Sequence, residues 1–348
     1  MATAAALGSL MEREIAEQPA VYRRILTEGI DAIGECADQI RSRSIRLVVL
    51  AARGSSDNAA LYGKYLVETI LNLPCGLASP STVTLYRAAP AMENVLVIAL
   101  SQSGESPDIA RYTGQARERG AVTVAVTNSA DSALGRAAEL HLPLLAGEER
   151  AVAATKTYTA EQLVMYLLVN ALAGRAPDGV DALPDLAALT LACERDVAQA
   201  AERLAFAEHM VLTSRGFNLS TAQEGALKLI ETARLPSHAY SAADLMHGPL
   251  IMVDAGFPVI AVVPQGPVGE AMQPTLDALR RRGADPLVVT NDPTLGSASR
   301  AIVSPLSSEA LSPLLMIIPL QLLALHSARL RGFDPDAPPG LTKVTRTT

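Results

Sequence analysis

Glu224, Lys228 and Glu231 stand at i, i+4 and i+7 in the segment EGALKLIE, which puts all three on one stripe of a helix. The residues between them are Gly, Ala, Leu and Ile, and His247 follows sixteen residues after Glu231, just ahead of Gly248 and Pro249. One short stretch thus supplies carboxylates, an ammonium and an imidazole, a set suited to proton transfer. The same spacing also describes a solvated helix face worth roughly a few tenths of a kcal/mol per pair. A histidine before Gly-Pro is also an ordinary loop residue.

Ser101-Gln102-Ser103-Gly104-Glu105-Ser106 offers three hydroxyls, an amide and a glycine that lets backbone approach closely. At a helix N-terminus such a loop makes an uncharged phosphate cradle, because free N–H groups and the helix dipole favour an anion. A plain N-cap has similar residues. Gly54-Ser55-Ser56 is a weaker form of the same turn. Neither GxGxxG nor a Walker A sequence occurs, so dinucleotide and ATP sites are not indicated. Ala153-Ala154-Thr155-Lys156-Thr157 reads either as a helix start with two caps or as a loop walling a sugar site. Lys343, in a Pro-rich tail, is either solvated or, if the tail covers a pocket, a cation or imine-forming amine.

Something must position these residues. Met11 to Arg43 has the apolar spacing of one or two leading helices. Ile45–Ala52, Val95–Leu100 and Val122–Val126 are short, β-branched, continuously apolar runs, as expected of strands buried on both faces. Helical stretches follow from about residues 58 to 71 and from near Pro107. Buried strands alternating with helices predict a parallel sheet covered on both sides, with ligands at the carboxyl ends of the strands.

The pattern also occurs twice. Val126-Thr127-Asn128 recurs as Val289-Thr290-Asn291, Arg119-Gly120 as Arg282-Gly283 and Gln102 as Gln265, each 163 residues on; Arg53-Gly54 recurs as Arg215-Gly216 after 162. The expectation is two copies of one α/β domain, joined through the Gly-, Pro- and Asp-rich stretch that starts at Gly174. The tail after Gly332 has three prolines and no periodicity, so it should be extended and lie against something or be disordered.

Composition narrows the function classes. With 49% apolar and 19% charged residues the chain is globular, and 348 residues suit two domains. A net charge of −7, no Trp and four Phe give neither the basic patch nor the stacking platforms of a nucleic-acid binder. Cys36, Cys75 and Cys193 lack metal or CxxC spacing and read as reduced, buried thiols of a cytoplasmic protein. The start, MATAAALGSLMEREIAEQP, does not read as a signal peptide. The run Leu311–Leu325 is cut by Pro313 and Pro319 and carries Gln321, so no membrane span is expected.

EGALKLIE followed by AADLMHGPL, with SQSGES, AATK and the run PLQLLALHSARLRGFDPDAPPGLTKVT, resembles the isomerase half of glutamine:fructose-6-phosphate amidotransferase. These are marks of the double sugar-isomerase (SIS) domain family, and the resemblance spans about residues 35 to 348. It implies two tandem SIS domains, each an α/β three-layer unit with a parallel sheet flanked by helices, at 35–173 and 187–332. Residues 1–34 would be a helical lead, 174–186 a linker and 333–348 a tail closing the active site. By the same resemblance, Ser101, Gln102, Ser103 and Ser106 hold a sugar phosphate, with Ser56 and Val152 lining the pocket. Glu231 is the base between C1 and C2, His247 helps open the ring from the neighbouring subunit, and Lys343 can form an imine with a ketose. Lys228 and Glu224 stand beside the site, and the unit is a homodimer.

Two departures stand out. Asp244 occupies a position where the family often has Glu, and Ala154 one where Ser is usual. No glutaminase domain with an N-terminal cysteine fits the length. An isomerase without an ammonia source is expected to run as a glucosamine-6-phosphate deaminase, giving fructose 6-phosphate and ammonia without metal or nucleotide. A galactosamine-6-phosphate deaminase/isomerase, a fructosamine-6-phosphate deglycase and an ammonia-dependent synthase use the same residues. A sugar-phosphate-binding regulator would keep the cradle and dispense with Glu231, His247 and Lys343.

Overall fold

The computed structural model describes residues 7–298 and 300–343. The first six residues, where the reading of the start begins, and the last five of the tail lie outside them. The chain divides into two compact units, 20–149 with 156–178 and the end from Thr342, and the N-terminal 19 residues with 150–155 and 179–341.

Helix α1 (Ser9–Ala16) belongs to the second of these units, and α2 (Gln18–Arg24) leads into the first, followed by a wide turn and α3 (Ile30–Arg41). The alternating part of the first unit is β1 (Leu47–Ala51), α4 (Ser55–Leu66), β2 (Cys75–Leu77), α5 (Pro80–Thr84), β3 (Val95–Ser101), α6 (Pro107–Glu118), β4 (Val122–Thr127), α7 (Ala133–Ala137), β5 (Leu140–Pro143) and α8 (Lys156–Leu172). The second unit continues with α9 (Leu183–Leu191), α10 (Glu194–Leu204), β6 (Met210–Ser214), α11 (Leu219–Ala233), β7 (Ser237–Ser241), α12 (Ala242–Met246), β8 (Val259–Val263), α13 (Pro267–Arg281), β9 (Leu287–Thr290), α14 (Pro293–Ala298), β10 (Ala301–Val303) and α15 (Ser312–Leu330).

Both sheets are parallel and five-stranded, ordered β2-β1-β3-β4-β5 and β7-β6-β8-β9-β10. Strand for strand the orders are the same, so the duplicated sequence is a duplicated fold. Every residue of β3, β4, β6, β8 and β9 is buried, as continuous apolar strands covered on both faces must be. In each sheet the order reverses direction beside the first strand, between β1 and β3 or between β6 and β8. Loops leaving those strand ends are where this architecture binds ligands.

The repeated dipeptides prove to be structural joints. Gly120 and Gly283, at φ +95° and +81°, end α6 and α13 in the left-handed region; Ala121 N then bonds back to Ala116 O, and Ala284 N to Leu279 O. Glycine is favoured there because a Cβ is penalised at positive φ. Asn128 and Asn291 tie the ends of β4 and β9 to neighbouring loops, through Gly147 O and Ala146 N in one unit, and Gln265 N and Ser307 O in the other.

One expectation needs correction. Pro313 and Pro319 do not interrupt the apolar run; α15 is a single helix from Ser312 to Leu330. Pro313 sits in the first turn, where its missing N–H costs nothing, and Pro319 is carried inside a helix held on nearly every side. By length and composition alone α15 could cross a membrane, but 83% of its most apolar window is buried in the protein. It is the core helix of its unit, packed on α9, α10 and α11.

The described part of the tail lies against α1. Asp334 accepts from Gly8 N, and Asp336 from Leu10 N and Met11 N, at 2.8 to 3.1 Å. Two aspartates thereby satisfy the N–H groups that the start of α1 leaves open.

Candidate active site

In the second unit the chemistry is concentrated on α11. Its register buries Gly225 against α15 and β6 so closely that a Cβ there would stand 2.7 Å from Leu320 Cδ1 and 3.0 Å from Leu212 Cδ2. That approach draws the neighbouring charged stripe inward. Lys228 Nζ lies 3.2 Å from Glu224 Oε1 and 2.6 Å from Glu231 Oε2; the side chains of Lys228 and Glu224 are wholly buried, and that of Glu231 is 24% exposed. The spacing expected for a solvated face therefore belongs to a buried Glu–Lys–Glu relay.

Burial by itself disfavours the Lys228 ammonium, but the two carboxylates outweigh it and hold the group above the ordinary lysine value. Two carboxyl groups share the one ammonium. Glu231 is the relay's only partly exposed member.

His247 is exposed in the turn after α12, with its backbone N–H bonded to Asp244 O. Among the described residues no side-chain hydrogen bond or ion pair joins it to the α11 charges. Asp244 is used locally: its N–H donates to Ser241 Oγ, which caps the start of α12 and in turn donates to the Asp244 carboxylate.

In the first unit, Ser101 to Ser106 run from the end of β3 into α6. Gly104, at φ +68°, turns the loop, and a Cβ there would strike Ser132 Oγ at 2.2 Å. Ser101 Oγ accepts from Gly104 N and Ser103 Oγ from Glu105 N, so each hydroxyl keeps its proton for another acceptor. Ser106 is the N-cap of α6 but makes no side-chain capping bond, and Gln102 is partly exposed beside it. The hydroxyl that a plain capping role would spend is therefore available, and the loop has the donors of an anion cradle.

Ser56 is nearly buried in the first turn of α4, where it donates to Glu161 Oε1 at 2.8 Å. It can still accept, but its proton is engaged. Val152 belongs to the segment 150–155, grouped with the second unit. Lys156 opens α8 and donates to Glu148 O, while Ala153, Ala154 and Thr155 form the bend that leads into the helix. Lys343 forms a 2.8 Å ion pair with buried Glu149, whose carboxylate also accepts from Thr157 N and Oγ1 at the start of α8. Sequence reasoning missed Glu149 and Glu161, which lie in no motif and show their roles only through burial and partners. Among the described residues no group of three or more His, Cys, Asp or Glu is placed to hold a metal ion.

Comparison with known proteins bears on the family and the fold. The SIS domain model matches twice, at residues 42–171 and 203–331. The chain is 35% identical over 338 residues to glutamine–fructose-6-phosphate aminotransferase (isomerizing) of Methanothermobacter thermautotrophicus, covering 96% of this chain and 56% of that protein. It thus spans little more than half the length of that relative. A protein of Silicibacter pomeroyi, provisionally assigned as a phosphosugar isomerase, superposes with a TM-score of 0.84 at 32% identity, covering 94% of this chain and 99% of the other. The C-terminal domain of glucosamine-fructose-6-phosphate aminotransferase from Francisella tularensis gives a TM-score of 0.87 at 26% identity, covering 96% and 99%.

Proposed function

The chain belongs to the SIS-domain family, and from that premise we propose that it binds a hexose 6-phosphate and moves a proton between C1 and C2 of the open-chain sugar. The observation that carries this reading is the α11 relay, in which buried Lys228 holds one carboxylate oxygen of Glu231 while the Glu231 side chain stays partly exposed. A general base needs a fixed position and access to the substrate, and Glu231 has both. The Ser101–Ser106 loop, with its free hydroxyls at a helix N-terminus, suits the phosphate.

Within that class the reading is a glucosamine-6-phosphate deaminase. After ring opening, Glu231 takes the proton from C2 and returns it to C1, which leaves an imine at C2. Water adds to that imine, and ammonia departs to give fructose 6-phosphate. His247, exposed and without a side-chain partner among the described residues, is assigned to ring opening in a second copy of the chain, so the active form is a homodimer. Lys343 is assigned to imine formation with the ketose, once its ion pair with Glu149 opens and it gives up a proton. The domains that carry these roles are 35–173 and 187–332, joined by 174–186, with 333–348 as the closing tail.

Purified protein should release ammonia from glucosamine 6-phosphate with no added cofactor, and Glu231→Gln should stop that release. Turnover of a fructosamine 6-phosphate instead would move the assignment to a deglycase. An absence of turnover on every amino-sugar phosphate and fructosamine phosphate would remove the deaminase reading.

A further inference from the structure

The cradle as described has hydroxyl and amide donors but no cation, although a sugar phosphate brings up to two negative charges. Arg53 stands beside it. β1 and β3 pair from Leu47↔Val95 to Ala51↔Ala99, and the same register carried two residues further sets Arg53 level with Ser101. The loops after these strands flank the point where the sheet order reverses. Gly54, at φ +58° and ψ −131°, turns the chain away immediately after Arg53, a conformation open mainly to glycine.

The guanidinium is held by Asp108, in the first turn of α6. Nε and Nη2 lie 2.9 and 2.8 Å from the same oxygen, Oδ2, while Oδ1 accepts from Ile109 N. The Asp108 side chain is 4% exposed, whereas Arg53 is 44% exposed and its Nη1 has no partner among the described residues. A buried carboxylate thus fixes the orientation of a cation whose outer donors remain unspent. Asp57 is the other carboxyl near Arg53, and burial pushes its pKa up against the pull of Arg53.

We propose that Arg53 is an anion-recognition residue of the cradle, binding the phosphate of the substrate together with Ser101, Ser103 and Ser106. A fork of N–H donors set against a ring of hydroxyls matches a phosphate's several acceptor oxygens. This assignment rests on the phosphosugar reading. It predicts that the site discriminates a phosphorylated sugar from the same sugar without phosphate by charge as well as by shape.

The test compares the wild type with Arg53→Gln and with the double variant Arg53→Gln/Asp108→Asn, which removes the cation without stranding a buried carboxylate. Binding of fructose 6-phosphate and of inorganic phosphate is measured by calorimetry, alongside KM, kcat and Tm. Both variants should bind both ligands about 10- to 100-fold more weakly. The loss should appear in KM, with kcat at saturation within about threefold of wild type. Wild-type affinity in Arg53→Gln, or recovery of affinity in the double variant as its Tm recovers, would overturn the proposal and leave Arg53 a structural tie. Wild type that binds no sugar phosphate would instead overturn the underlying function.

Discussion

Lys228 and Glu231 meet at 2.6 Å on α11, the lysine without exposure and the glutamate about one quarter exposed. On the proposed reading the pair separates two duties: the lysine orients, and the glutamate acts on the ligand. Glu231→Gln is nearly isosteric and keeps the geometry but not the base. It should lower kcat by about 10²- to 10⁴-fold, with fructose 6-phosphate binding by calorimetry close to wild type. A comparable loss of binding would show instead that Glu231 holds the sugar.

Lys228→Met should be costly to stability. It strands the buried carboxylate of Glu224 and leaves that of Glu231 uncompensated, for a loss of about 3–5 kcal/mol in denaturant unfolding. The sign of the pH dependence is fixed by the same contacts. The folded-state value of Lys228 lies above the ordinary 10.5, so its contribution is complete below that pH and declines only as pH rises through the folded value. The stability gap between wild type and variant should therefore narrow in strong alkali.

The cradle depends on Gly104 for two reasons at once, its positive φ and the contact with Ser132. Gly104→Ala should destabilise the protein by about 1–3 kcal/mol and weaken inorganic phosphate binding by about tenfold or more. Unchanged phosphate affinity would place the anion elsewhere.

The assignment of imine formation to Lys343, the partner of Glu149, predicts where a trapped imine should appear. Reduction with cyanoborohydride in the presence of fructose 6-phosphate should label the peptide containing Lys343, and Lys343→Arg should carry no label. Label on another lysine would reassign the amine.

The three cysteines are free and buried, and burial pushes each thiol up to about 12. They should react with a thiol reagent slowly in the native protein and promptly in denaturant.

These relationships were legible in the sequence to different degrees. β3 and β4 announced themselves because strands buried on both faces are continuous apolar runs, and β1 showed as a strand by the same run although Leu47 is exposed and Val49 only half-buried. β2 and β10, three residues each, are too short to show a period, and β7, SHAYS, is polar enough to hide among loops. The duplicated Arg-Gly and Thr-Asn pairs were visible as repeats, but their work as helix ends and strand-end ties is a matter of φ angles and carbonyl partners. The α11 stripe shows the limit most clearly. Periodicity put Glu224, Lys228 and Glu231 on one face, but only the packing around Gly225 decides that this face is buried. Pro319 misled for the opposite reason, since a helix enclosed by its neighbours tolerates the missing hydrogen bond that an isolated helix would not.

Incubation with fructose 6-phosphate in D₂O, followed by proton NMR, tests the central assignment most directly. Proton transfer between C1 and C2 through a carboxylate that exchanges its proton with solvent should replace one of the two C1 protons by deuterium and halve the C1 signal in the wild type, and Glu231→Gln should leave the full C1 signal. A C1 signal that persists in full in the wild type while calorimetry shows the sugar phosphate bound would contradict the account and leave a phosphosugar-binding protein without the isomerase step.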